Sequence, residues 1–362
     1  MISDTFGLLF NTKKKSHMNV FFISIVAAFI HWMGGDSKPV VSCKKGEPAV
    51  TNLIMTSADG GKTWTDLSKG LPAVEDIRDI LVTDKETYVA VGRNHLFRLV
   101  SPGVWEKENI GGSMMGGFMT QDSSNEANYF LGVFEGNNGP YVSINESGLF
   151  QKKASGDWQA VHRNLPDNRI YNIIELEDGS TLVGTEGGIF RKAGKEDKWM
   201  NVLSDKWASN MTHNGAVIVA STPSGVWVSD NYGTSWTNTI KDKIGNYEVC
   251  ATADKIYAIK PNTETLNKDE TDQAPETAFV SSDQGRTWTP INKGLLQVER
   301  LYQVVQNGKT LISSNSQGIG ISTDQGYNWE NVFGKPGTDK LMIWKLVQRG
   351  SSIYAVKSWS GC

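Results

Sequence analysis

Cysteine is scarce and unpatterned in this chain. Cys43, Cys250 and Cys362 are the only three among 362 residues, and no two form a CxxC pair. The usual zinc spacings are therefore excluded. Histidine is nearly as rare, with five scattered copies, so no His-based metal centre and no cofactor are expected. Charge of one sign is missing too. Lys and Arg number 36 against 39 Asp and Glu, for a net charge of −3. A nucleic-acid binder carries a basic stripe, and none is present, nor is there a like-charge block that would form a tail. No phosphate-cradling glycine loop and no Ser or Cys nucleophile triad can be read. The one long apolar run, residues 20–33, is shorter than the ~20 residues a spanning helix needs.

That run has another use. Lys13, Lys14 and Lys15 precede it, and a positive segment before a short apolar one is the secretory pattern. Met18 is an alternative start. Val40-Val41-Ser42-Cys43 is similar to a bacterial lipobox, followed by Lys44-Lys45, although residues 34–39 separate it from the apolar run. Three readings stand for Cys43: lipid attachment, cleavage elsewhere, or a disulfide to Cys362, which export permits. The expected division is a signal over 1–43, a linker over 44–50 and one folded unit over 51–362. The location is outside the cytoplasm: periplasmic, surface-anchored or secreted.

Glycine and tryptophan are abundant, at 37 and 12 residues, in a chain that is 39% hydrophobic. Many glycines and many aromatics point to short strands and tight turns. One eight-residue pattern recurs. Ser57-Ala-Asp59-Gly-Gly61-Lys-Thr63-Trp64 returns as Ser281-Ser-Asp283-Gln-Gly285-Arg-Thr287-Trp288 and as Ser322-Thr-Asp324-Gln-Gly326-Tyr-Asn328-Trp329. A fourth copy, Ser229-Asp-Asn231-Tyr-Gly233-Thr-Ser235-Trp236, has Asn in place of Asp. Degenerate copies end in Trp105, Trp158 and Trp199, so the seven tryptophans lie 41, 53, 41, 37, 52 and 41 residues apart. That spacing fits one four-stranded propeller blade per unit, about 40–45 residues.

Each unit reads as strand, strand, glycine turn, strand, boxed turn and a last strand opened by the tryptophan. After Trp329 only two strands remain, and residues 51–67 supply only the last two of a blade. Joining the termini completes a seventh blade and closes the ring, which removes open sheet edges. The fold expected is all-β: a seven-bladed propeller of four-stranded antiparallel blades. Within the boxes, Asp59, Asn231, Asp283 and Asp324 are expected to hold turns by accepting backbone N–H bonds, Gly61, Gly233, Gly285 and Gly326 to allow the sharp bend, and the tryptophans to pack between blades.

These boxes resemble the Asp-box, or BNR, repeat of the propeller superfamily that includes sialidases, sortilin-type receptors and xyloglucan hydrolases. In size and repeat count the chain is similar to the exported branch of photosystem assembly factors. That resemblance implies a non-catalytic scaffold that binds other proteins. The alternative is a carbohydrate-binding or sialidase-like protein. The sialidase signature Arg-Ile-Pro is absent, and Arg78, Arg169 and Arg300 near strand starts do not reproduce that family's spacing, so an enzyme is disfavoured and no catalytic residue is assigned. A xyloglucan-type hydrolase needs two facing carboxylates and in that family a second propeller.

Candidate ligand residues are Arg78, Arg169, Tyr171, Glu248, Arg300, Tyr302 and Trp344. Tyr171, Trp207, Tyr247, Tyr302 and Trp344 form an aromatic series at the starts of the innermost strands, suited to stacking on a ligand or to inter-blade core. Asp79, Asn172, Glu248, Gln303 and Lys345 adjoin it and are expected at the channel mouth. The two longest units place extra residues at 135–147 and 261–276, read as second-to-third-strand loops on one face, where a protein or a glycan would dock. No nucleic acid is expected, and membrane contact only through a lipid on Cys43.

Overall fold

The computed structural model describes residues 53–71, 77–92, 95–110, 129–260, 278–291, 301–333 and 342–358, apart from 195, 197, 244, 253, 316 and 317. Cys43, Cys362, Arg300 and the segment 261–276 lie outside the described residues, as does the whole leader.

Seven four-stranded antiparallel sheets succeed one another along the chain. They are blades 1 to 6, spanning 77–108, 130–160, 170–203, 210–241, 248–290 and 301–333, and blade 7, built from 342–358 and 54–66. Among the described residues none is helical. The protein is a seven-bladed β-propeller. Its innermost strands, in blade order, are Ile77–Val82, Phe130–Phe134, Ile170–Glu175, Asn210–Asn214, Glu248–Ala251, Leu301–Asn307 and Met342–Arg349. Each touches the next, and the seventh touches the first. Closure is made where Ile54–Ser57 pairs with Ser352–Ser358, Ile54 opposite Val356 and Ser57 opposite Ile353. The ring thus has no free lateral edge at the junction of its termini.

The core is divided into seven apolar clusters, one for each contact between neighbouring blades. Second strands are buried on both faces, as Val217–Thr222 and the run from Leu182 to Thr185 show. This explains their continuous apolar runs. Each of the seven repeat tryptophans stands at or beside the start of an outer strand and packs into the cluster shared with the preceding blade. Trp105 lies with Leu53 and Ile54 of blade 7, Trp158 with Tyr88 of blade 1, and Trp64 with Val305 and Ile312 of blade 6.

The turns behind the tryptophans explain the repeated sequence. Asp59 Oδ1 accepts the Thr63 amide at 2.9 Å and the Ser57 hydroxyl at 2.8 Å, while Oδ2 accepts the Thr63 hydroxyl at 2.6 Å. The Gly61 amide donates to Ser57 Oγ at 2.9 Å, and Gly61 O takes the Trp64 indole N–H at 2.9 Å. Asp283 and Asp324 make the same bonds. Asn231 keeps the pattern with the last bond reversed, since its Nδ2 donates to Ser235 Oγ at 2.8 Å. These bonds hold the Asp59 and Asp324 carboxyls below the usual range and Asp283 at about 2, chiefly through the residue four positions on. Gly61, Gly233, Gly285 and Gly326 all have positive φ.

One expectation about loops is corrected. Residues 135–147 are not a second-to-third-strand insertion. They contain the first hairpin of blade 2 and its whole second strand, Tyr141–Ile144. The surplus length of that unit falls instead between Val104–Glu108 and Phe130–Phe134, in the link between blades. The first hairpin therefore sits on the opposite face from the second-to-third turns. The other insertion does fall between second and third strands, Ile256–Ile259 and Ala278–Ser281.

Candidate functional site

The ring has two faces. Inner strands begin on one, here the start face, which also carries the second-to-third turns. They end on the other, the box face, which carries the boxed turns. Near the start face, five inner strands share a local irregularity. Register slips between Ile77 and Asp79, Phe130 and Gly132, Ile170 and Asn172, Leu301 and Gln303, and Ile343 and Lys345. A bulge leaves one residue unpaired and re-aims its neighbour. The unpaired residues are Arg78, Leu131, Tyr171, Tyr302 and Trp344. The expected aromatic series and the first arginine are thus largely bulge positions. The Trp344 side chain lies outside the described part.

The residue after each bulge occupies an equivalent level. With Asn210 and Glu248, paired to Ser221 and Ile259 at the same level, these form a ring of seven: Asp79, Gly132, Asn172, Asn210, Glu248, Gln303 and Lys345. Five of the seven were legible as a set. Most fasten their blade to the next. Asp79 Oδ2 accepts the Val133 amide at 2.8 Å, Asn210 Oδ1 the Val249 amide at 3.2 Å, and Gln303 Oε1 the Leu346 amide at 2.7 Å. Asn172 Nδ2 donates to Met211 O at 3.3 Å. Lys345 instead donates directly to Asp79. Glu248, part-buried on the inner strand of blade 5, bonds Asn210 and feels the charges of Lys345 and Asp79. Burial dominates its environment and raises its carboxyl to about 7, with Lys345 opposing and Asp79 reinforcing the rise. Cys250, two residues on, has its thiol pushed up to about 12 by burial and by Glu248, which suits an inert side chain.

A second group lies on the start face across blades 1 to 4. The Arg78 guanidinium carbon stands 5.7 Å above the centre of the Tyr129 ring, within cation–π range. Tyr129, just before the inner strand of blade 2, was not singled out from sequence. Burial raises its phenol, and the charges of Arg78 and Arg169 oppose that rise. Arg169 is placed by Asp167, which accepts the Arg169 amide and the Gly187 amide at 2.9 Å each. Its guanidinium pairs with Glu186 and keeps two-fifths of its side chain exposed. Tyr171 is buried and stacks on Trp207, with centroids 6.3 Å apart and planes 12° apart. Trp207 has φ of +63°, a strained conformation for a bulky residue. Its amide is held by Glu186 O at 2.9 Å.

The structure therefore brings Arg78, Arg169 and Tyr171 into one region and leaves Glu248 in the channel. Tyr302 is half-buried on blade 6. Tyr247 is core, packed with Val219 and Val226 of blade 4. Among the described residues no group of three or more His, Cys, Asp or Glu is placed to hold a metal ion.

Residues 43–345 match the family described as the DUF6242 beta propeller domain. No curated protein matches. Among solved structures, one described as YCF48 bound to D1 peptide superposes with a TM-score of 0.55 at 15% identity, covering 85% of this chain and 98% of that one. YCF48 from Cyanidioschyzon merolae gives 0.54 at 13% identity over 80% and 95%. The extracellular domain of a putative hybrid two-component system, BT3049 from B. thetaiotaomicron, gives 0.52 at 13% identity over 77% of this chain and 39% of that one. At such identities the structural matches establish the propeller fold, and the family match, spanning most of the sequence, places the chain in the DUF6242 beta-propeller family.

Proposed function

We propose that this propeller is an exported, non-catalytic scaffold that binds another protein on its start face. The observation that carries the reading is the joined patch of Arg78, Tyr129 and Arg169 beside the Tyr171–Trp207 stack. Guanidinium groups suit carboxylates, and aromatic and arginine side chains are the usual anchors of protein interfaces. A peptide with an acidic group next to an apolar or aromatic residue fits this chemistry. Propellers of the same fold support the reading, since one is described as bound to a peptide and another as an extracellular domain. The Lys13–Lys15 segment and the apolar run after it support export. Lipidation of Cys43 and kinship with the Asp-box propellers, supported by the four boxed turns, belong to the same proposal.

The test is binding of the purified chain to a library of blocked peptides with and without carboxylates, beside a glycan array and a fluorogenic sialoside. Selective binding of acidic peptides is expected, weakened at least about tenfold when Arg78 and Arg169 are both changed to Gln, as for lost charge-assisted bonds. Glycan binding or sialoside turnover that depends on the same arginines would replace this reading with the carbohydrate one.

A further inference from the structure

At the box face the central channel widens into a cavity of about 1130 Å³, walled by the first hairpins of blades 7, 1, 2, 3 and 4. Hairpin length raises one side of it. Between their last paired residues, the first hairpins of blades 1, 2 and 3 leave residues 83–86, 135–140 and 176–180. Those of blades 4, 6 and 7 leave only two residues each, 215–216, 308–309 and 350–351. The cavity also runs outward over the third-to-fourth turn of blade 2, at Lys153, Ala154 and Gly156, so it extends past the channel mouth. Its rim is braced. The Arg349 guanidinium of blade 7 reaches Asp84 of blade 1 at 2.7 and 2.8 Å and Glu135 of blade 2 at 3.0 and 3.1 Å. Glu175 of blade 3 accepts the Tyr141 hydroxyl and the Asn137 amide of blade 2, each at 2.5 Å. Such bracing presents a preformed hollow, which lowers the ordering cost of binding.

The walls are close to neutral. Among the lining side chains, five carboxylates are matched by five Lys and Arg. Three of those cations already hold carboxylates: Lys345 holds Asp79, Lys152 holds Glu108, and Arg349 holds the two named above. What the walls offer is hydrogen bonding in both directions. Bonded carboxylate oxygens keep further lone pairs, and an Asn side chain carries donors and an acceptor together. Asn137 and Asn138 are both exposed on the blade 2 hairpin. One phenyl ring interrupts this polar lining. Phe134 is half-buried and lines the cavity. It lies where the polar ring has no side chain, since a Cβ on Gly132 would stand 2.3 Å from Phe134 Cζ. Glycine at position 132 thus makes the room that the Phe134 ring occupies.

We infer that the box-face cavity binds a neutral oligosaccharide, with the Phe134 ring as its apolar platform and the hairpins of blades 2 and 3 as its hydrogen-bonding walls. A sugar ring presents a face of C–H groups and an edge of hydroxyls that donate and accept, which is the mixture this lining offers. An ion of either sign meets no surplus of opposite charge among the lining groups. An apolar ligand would cover polar wall groups without replacing their bonds to water. The volume exceeds the roughly 300–1,000 Å³ of pockets for drug-sized ligands, which suits several sugar units in a row. A polypeptide loop anchors through aromatic or apolar side chains in dry pockets, and this lining is polar and largely exposed. The inference does not depend on the start-face reading, whose site is at the other end of the channel.

The experiment is calorimetric titration of the full chain with neutral hexasaccharides of the β-glucan, mannan, xylan and starch types. Saturable binding of at least one is expected, weakened at least about tenfold in Phe134→Ala. Because Phe134 also packs against blade 3, a thermal melt accompanies that variant. A second variant avoids the core: Asn137→Ala with Asn138→Ala changes only exposed side chains and keeps the amide that Glu175 accepts. It should weaken binding at least about threefold. Replacing Arg78 and Arg169 with Gln should leave saccharide binding as in wild type, which separates this site from a glycan site on the start face. Binding should also be the same at about 0.05 and 0.5 M salt, since a neutral ligand has no charge to screen. Failure of all four saccharides to bind overturns the inference. So does binding that both cavity variants retain in full, or that is lost with Arg78 and Arg169. Peptide binding that requires Phe134, with no saccharide bound, assigns the cavity to a polypeptide and overturns it as well.

Discussion

Asp283 and Asn231 occupy the same place in different blades and make nearly the same bonds. Only the oxygen that accepts the amide and hydroxyl donors is common to both, so the turn needs an acceptor of that length and not a charge. Asp283→Asn should therefore lower the thermal midpoint less than Asp283→Ala does, as a melt of the two variants would show. Because the folded carboxyl of Asp283 is held at about 2, below its ordinary value, its contribution is fully present above about pH 4 and is lost as pH falls through 2. Glu248 has the opposite sign. Its folded carboxyl is raised from 4.5 to about 7, so folding favours the protonated form. The penalty of ionising it is absent below about pH 4.5, grows towards 7 and is complete above, on the order of 3 kcal/mol. Urea unfolding of Glu248→Gln against wild type should show a gain for the variant that rises over that window and then levels. A difference that does not change with pH would contradict this account. The boxes were legible because all their bonds fall within eight residues. The setting of Glu248 was not, because the Asn210 bond and the charges of Lys345 and Asp79 come from three other blades.

At the level of the strand and turn, the sequence announces units better than it announces their parts. Tryptophan spacing measures one blade plus its link and cannot say where the spare residues sit. The long second unit was for this reason read as carrying a loop at 135–147, when its surplus lies between blades. The bulges were likewise hidden. Aromatics and Arg78 at strand starts were visible, but that they are the unpaired residues of a repeated register slip follows only from the ladders on either side. Two substitutions test how tightly these elements are specified. Gly225 begins the third strand of blade 4 with φ of +117°, and an added Cβ there would lie 1.8 Å from Ile240 O. Gly225→Ala should cost roughly 1–3 kcal/mol or more, since both conformation and space oppose it. Trp199 is 8% exposed and fills the contact between blades 2 and 3. Trp199→Ala should cost about 3–5 kcal/mol, read as a lower urea midpoint with an unchanged slope. A cost under about 1 kcal/mol would mean that the blade contact closes up around the gap.

For the whole molecule, seven similar blade contacts share the stability, and one covalent break in the circle must be bridged by pairing. That bridge is the short strand Ile54–Ser57, laid between Thr65–Asp66 and Ser352–Ser358. It could be anticipated from sequence, because the two ends carry complementary halves of one repeat. Its role yields a prediction specific to a closed ring. A chain beginning at residue 68 keeps six complete blades, yet it exposes the paired edge of Ile353, Ala355 and Val356, all of which are fully buried in the intact ring. An unpaired apolar edge is a template for association, so light scattering after size exclusion should show larger assemblies than the full chain forms. A synthetic peptide covering 51–67 should restore the full chain's own size when added in excess, because Ile54 and Met55 regain their partners in blades 7 and 6. A peptide with Ile54→Asp should not, since Ile54 is completely buried between blades 7 and 1. If the truncated chain keeps the full chain's size and melts as it does, the ring is held by its six other contacts and the closing strand is dispensable.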